Sequence, residues 1–144
     1  MIRIIAALAA AAIGATAVHA QNTQAIALRQ ATMKQYGRAI VVLGKIAKGD
    51  IAFDLPTIQA TLKTIEETSQ KAKTVFPDDS KIGETNTLPA AFKRKSDLFA
   101  RFDALARDAH AANSAIVDEA SFKAEWAKIG THCVGCHKDY KKPD

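Results

Sequence analysis

The sequence predicts an all-α protein, an antiparallel up-down four-helix bundle. Apolar residues recur at three- and four-residue steps in four successive stretches, the signature of one buried helix face. No stretch sustains the apolar/polar alternation of a strand. The connections are short, so neighbouring helices run antiparallel around a shared core.

The first helix is expected from about Thr23 to Lys48, with Ala25, Leu28, Thr32, Met33, Tyr36, Ile40, Leu43 and Ala47 in register and Gly49-Asp50 as its stop. The second opens at Asp54-Leu55-Pro56, where a first-turn proline gives up an N–H that has no helical partner anyway. Ile58, Leu62, Ile65, Ser69, Ala72 and Phe76 form its inner face, and Pro77 ends it. Asp78 to Thr87, with Gly83 and Asn86, reads as the longest loop. Pro89 starts the third helix, whose stripe is Phe92, Phe99, Phe102, Leu105, Ala106 and Ala109, ending near Asn113. Asp118 and Ser121 are good caps for the fourth, which carries Phe122, Trp126, Ile129, Cys133, His137 and Tyr140 at helical spacing.

Ahead of these lies MIRIIAALAAAAIGATAVHA, with basic Arg3, an apolar run from Ile4 to Val18 and small residues before a cut expected after Ala20. It reads as a secretory signal over residues 1–20, leaving one domain over 21–144. It is Ala-rich and short for a bilayer span, which takes roughly 20 strongly apolar residues, and no later stretch is apolar enough; stable membrane insertion is not expected. The export signal predicts a periplasmic protein. Losing Arg3 takes the formal net charge from +5 to +4. Lysines alternate with acids along helix faces rather than forming a basic stripe, a pattern that argues against nucleic-acid binding.

The two cysteines lie three residues apart, in Cys133-Val134-Gly135-Cys136-His137. A disulfide across so short a segment closes almost no loop and adds little stability. A thioredoxin-like dithiol belongs beside a strand, and none is expected here. His132, Cys133, Cys136 and His137 on one helix cannot surround zinc tetrahedrally. C-x-x-C-H is the pattern of covalent haem attachment: residues three and four apart share a helix face, so two thiols can reach the haem vinyl groups while His137 offers its imidazole to iron. Gly135 lets the flat macrocycle approach the backbone. One haem c, bound through Cys133 and Cys136 and ligated by His137, is therefore expected near the C-terminal helix of the bundle.

A C-x-x-C-H near the C-terminus, followed by Lys138-Asp139-Tyr140-Lys141-Lys142 on the last of four helices, resembles the class II cytochromes c, cytochrome c′ and the low-spin cytochrome c556. The first helix resembles them as well, in Arg29-Gln30-Ala31-Thr32-Met33-Lys34-Gln35-Tyr36-Gly37 and in Val42 to Gly49, and the wording is closer to the c556 branch. The resemblance implies that the residue four before the first-helix glycine, Met33, faces the open side of the iron. A thioether bond there gives a His/Met haem, which raises the reduction potential; a methionine that only packs leaves an open iron that binds nitric oxide or other small gases. Core filling is the ordinary use of such a methionine. The resemblance also places Arg29 near a haem propionate, against the plain alternative of an exposed surface arginine.

Two departures are visible: Lys141 stands where many cytochromes c′ have arginine, and Phe92 near where tryptophan is common. His110 and His132 read as surface or capping groups, and Trp126 as core. The function expected is a one-electron carrier with no catalytic residues, not an enzyme. The alternative is a gas-binding cytochrome c′. Lys128, Lys138, Lys141 and Lys142 could steer an acidic redox partner protein, or simply be a solvated helix end. The family's habit of pairing through its first two helices makes a homodimer a further implied state.

Overall fold

The computed structural model describes residues 2–143, with side chains from Thr23 onward; the expected signal over residues 1–20 lies outside the residues whose side chains are described. The elements are α1 (Ile2–Lys48), α2 (Leu55–Ala72), the single turn α3 (Ala90–Lys93), α4 (Lys95–Ala115) and α5 (Glu119–Tyr140), with 3-10 turns at Lys73–Val75 and Asp78–Ser80. Helices α1, α2, α4 and α5 form the expected all-α bundle, each packed on the next and α5 returning to α1. No extended strand occurs among the described residues; Thr87 and Lys141 form one isolated bridge. No described helix is long and apolar enough to cross a membrane.

Local chemistry sets the ends. Gly49, at φ 81°, lets α1 turn back so that its N–H donates to Ile46 O at 3.0 Å and the Asp50 N–H to Lys45 O at 2.9 Å. The Asp54 carboxylate accepts from Thr57 N at 2.9 Å to cap α2. Asp118 and Ser121 form a capping box on α5, with Ser121 N donating to Asp118 Oδ1 at 2.8 Å and Asp118 N to Ser121 Oγ at 3.0 Å.

Three helices differ from expectation. The first reaches back from the expected start near Thr23 to Ile2, through the expected signal. The second stops at Ala72 and tightens into the 3-10 turn ahead of Pro77, with Phe76 already out of the helical region at φ −121° and ψ 49° and the Val75 carbonyl accepting from the Arg29 guanidinium at 2.9 Å. The third is broken at Arg94, whose φ −119° and ψ 44° leave the helical region. Just past the break Leu98 is buried and Phe99, expected in the stripe, is half-buried, while Phe92, Phe102, Leu105, Ala106 and Ala109 are buried as expected. It then continues to Ala115, where Ile116 turns extended and is itself buried.

The core runs the length of the bundle through Leu43, Ile46, Ile58, Leu62, Ile65, Phe102, Phe122 and Ile129. Phe76 tilts against Phe92 and Phe102 at centroid distances of 6.1 and 5.9 Å, and Phe53 against Phe122 at 6.3 Å. Of the four neighbouring helix pairs, α1 and α5 approach each other most sparsely. That seam is where the distinctive residues lie.

Candidate haem site

Cys133 and Cys136 are free thiols on α5, both half-buried. Burial pushes both thiols above their ordinary pKa, with the Arg101 guanidinium opposing it at Cys136. His137 completes the turn with its side chain exposed. Across the seam stands Tyr36 of α1, 8% exposed, donating to Ser69 Oγ at 2.9 Å, while Ser69 Oγ donates to Ile65 O at 2.7 Å. Burial raises the Tyr36 phenol to about 12; the Ser69 hydrogen bond opposes the rise and the two thiols, as thiolates, add to it. Tyr36 is therefore within electrostatic reach of the C-x-x-C turn. Met33, one helical turn earlier on α1, is half-buried against the core. Nearer the other end of the seam, Trp126 of α5 packs over Gly44 of α1, where an added Cβ would lie 3.6 Å from its ring.

Arg29, one turn before Met33, is only 3% exposed, which overturns the alternative of a surface arginine. Its guanidinium lies over the Phe76 and Phe92 rings at 5.3 and 5.4 Å. It donates from Nη1 to Val75 O at 2.9 Å and Ser80 Oγ at 2.7 Å, and from Nη2 to Ser80 O at 2.9 Å and Thr85 Oγ1 at 3.5 Å. The arginine thus pins residues 75–85 to α1. Its Nε is the one buried side-chain nitrogen or oxygen among the described residues without a partner.

On the α4 side, sequence reading missed Arg101. It donates from Nη1 to Gly135 O at 2.9 Å and from Nη2 to Asp139 Oδ2 at 2.6 Å, and its Nε meets Asp97 Oδ2 at 2.9 Å. The guanidinium stacks over Tyr140 at 5.2 Å, and Tyr140 Oη donates to the same Asp97 carboxylate. That bond first, and Arg101 second, hold Asp97 below the usual carboxylate range. Arg101, Thr131, His132, Gly135 and Cys136 line a cleft of about 200 Å³. The only sequence signal was an arginine four residues after Asp97, which by itself suggests a local surface pair. Among the residues with described side chains, the other two histidines pair with acids, His132 Nε2 with Asp108 at 2.6 Å and His110 Nδ1 with Glu66 at 3.3 Å.

The donor set fits a haem c. Two unbridged thiols face a sparsely packed seam, a histidine follows them, a thioether stands on the opposite helix, and a buried guanidinium keeps one N–H unspent for an anionic group.

A family model described as cytochrome C′ matches residues 24–141. Cytochrome c′ of Rhodopseudomonas palustris is 39% identical over 124 residues, 83% of each chain. Cytochrome c-556 of the same organism is 29% identical over 146 aligned positions, covering 98% of this chain and 97% of that one. The solved structure of R. palustris cytochrome c′ superposes with a TM-score of 0.81 at 36% identity, over 83% of this chain and 97% of that one. A structure of oxidised R. palustris cytochrome c556 gives 0.75 at 26% identity, over 83% and 97%. One covalently attached haem c is the prosthetic group of such proteins, and with a family model matching most of the chain, this protein belongs to the cytochrome c′ family of class II cytochromes c.

Proposed function

We propose that this protein is an exported, periplasmic one-electron carrier whose haem is attached at Cys133 and Cys136 and ligated by His137 and Met33. The observation that carries the reading is the pairing of helix faces. Met33 lies one turn before Tyr36, the α1 residue within electrostatic reach of the thiols, and that spacing supports a thioether presented to the seam. The iron, when bound, alternates between ferric and ferrous states.

The chain supplies the rest. Cys133 and Cys136 would hold the group on α5 and His137 and Met33 would ligate its iron and so set the potential, while Leu43, Ile46, Phe122 and Ile129 keep the surrounding core apolar. Arg29 can offer its unspent Nε–H to a propionate. No side chain need exchange a proton or form a bond with a substrate, so no enzymatic step is assigned. Lys128, Lys138, Lys141 and Lys142, near or just past the motif, suit an acidic redox partner, and a homodimer remains part of the proposal through the family's habit of pairing.

A second reading, gas binding at an open iron, is favoured by one observation: the 39% identical relative is a cytochrome c′, while the cytochrome c-556 relative is 29% identical. The two are separated by adding carbon monoxide to the ferrous protein. A low-spin spectrum that resists the gas is expected; prompt binding by a high-spin haem would sink the carrier reading. In Met33→Ala the spin state should become high and the potential should fall. An unchanged spectrum would remove Met33 from the ligand set.

A further inference from the structure

We infer that Arg101 is the positioning residue for the His137 turn of α5, acting from α4 on the backbone and side chain that bracket the ligand. The inference rests on the proposal that His137 is the axial ligand. Between Ile129 and Tyr140, both buried, no α5 residue is fully buried. Full burial therefore holds the two ends of this stretch, and between them only the half-buried Cys136 packs against the core. Arg101 acts in that gap. Its fork reaches Gly135 O and Asp139 Oδ2 at 2.9 and 2.6 Å. Those two residues are four apart, on one face of α5, with His137 midway and projecting about 200° around the helix axis from either.

The clamp is itself held by two groups that are tied to each other. Asp97 takes the Nε–H at 2.9 Å, the Tyr140 ring lies under the guanidinium at 5.2 Å, and Tyr140 Oη closes the circuit on Asp97. A planar five-donor group can satisfy Gly135, Asp139 and Asp97 together; a lysine ammonium offers the same charge without that spread. Partners of a ligand-bearing element fix the aim of the ligand and tune the metal. Arg101 does so one step removed, by fixing the backbone turn rather than touching the imidazole.

The test is proton NMR of the ferric holoprotein, in which an axial imidazole gives hyperfine-shifted ring signals whose positions report the ring's orientation. Wild type should show one set of His137 signals. Arg101→Gln should shift them and split them into more than one set, and Arg101→Lys should do the same, because charge without the fork does not span the turn. Asp139→Asn, which leaves Arg101 in place and weakens one arm, should give a smaller shift in the same direction and serves if Arg101→Gln does not fold. Circular dichroism confirms the helical content of each variant. Spectra that superimpose on wild type, or full recovery in Arg101→Lys, would overturn the inference. If the wild-type protein itself lacks hyperfine-shifted His137 signals, the ligand proposal fails instead.

Discussion

Arg29 shows how much one side chain can organise. A guanidinium is costly to bury without partners, and here four hydrogen bonds and two aromatic faces surround it. Replacing it by methionine keeps the apolar length but strands the Val75 and Ser80 carbonyls, and the holoprotein should lose about 3 kcal/mol, read as a lower denaturant midpoint. Arg29→Lys should recover little of it, since one ammonium cannot serve carbonyls and hydroxyls in the same plane. Tyr36 makes a pH prediction. Its phenol is raised by burial to about 12 from an ordinary 10. The unfolded phenol ionises first as pH rises, so its contribution is intact below pH 10 and is lost progressively up to about 12. The loss should reach about 3 kcal/mol at most, and Tyr36→Phe should flatten the stability profile in that window relative to wild type. Parallel profiles for the two proteins would show that the phenol is not buried neutral.

At the level of elements, the segment from Lys73 to Pro89 is the one whose form depends on distant partners. Gly83 adopts φ 128°, and a Cβ there would stand 2.8 Å from Ile26 Cδ1 on α1. Gly83→Ala should therefore cost about 2 kcal/mol in thermal or chemical unfolding through backbone strain and that clash together, whereas Gly37→Ala, with open space around the new methyl, should not destabilise. The contrast marks what a sequence can carry. The four helices were legible because spacing, prolines and caps are local signals, and Asp118 with Ser121 formed the cap their spacing suggests. The C-x-x-C-H turn was legible because its chemistry is contiguous. The break at Arg94 was not, since a helix-favouring residue there gives no local warning, and beside it Leu98 is buried where Phe99 was expected. Arg29 and Arg101 escaped for another reason: their hydrogen-bond partners lie 46 to 56 and 34 to 38 residues away in the chain, apart from the local Arg101–Asp97 pair, so only the fold brings them together.

Across the whole molecule, the loop after α2 joins the two helices proposed to supply the axial ligands. One end is pinned to α1 by Arg29. The other is clasped by the C-terminal tail leaving α5: Leu88 N donates to Tyr140 O at 2.9 Å, Lys142 N to Asn86 O at 2.8 Å, and Lys142 Nζ to Thr85 O at 2.8 Å. Thr85 is shared, because its hydroxyl also accepts from Arg29 and from Thr87 N. A loop held at both ends behaves as one cooperative unit, so freeing either end weakens the hold of the other. Ending the chain at Lys141 should cost about 1 kcal/mol through the lost tail bonds. Combined with Arg29→Met, the double variant should be less destabilised than the two losses added, by about 0.5 to 1 kcal/mol, because the second change removes contacts the first has already loosened. Strict additivity in denaturant titrations of the four holoproteins would show that α1 and the end of α5 are secured independently, and that the loop carries no coupling between them.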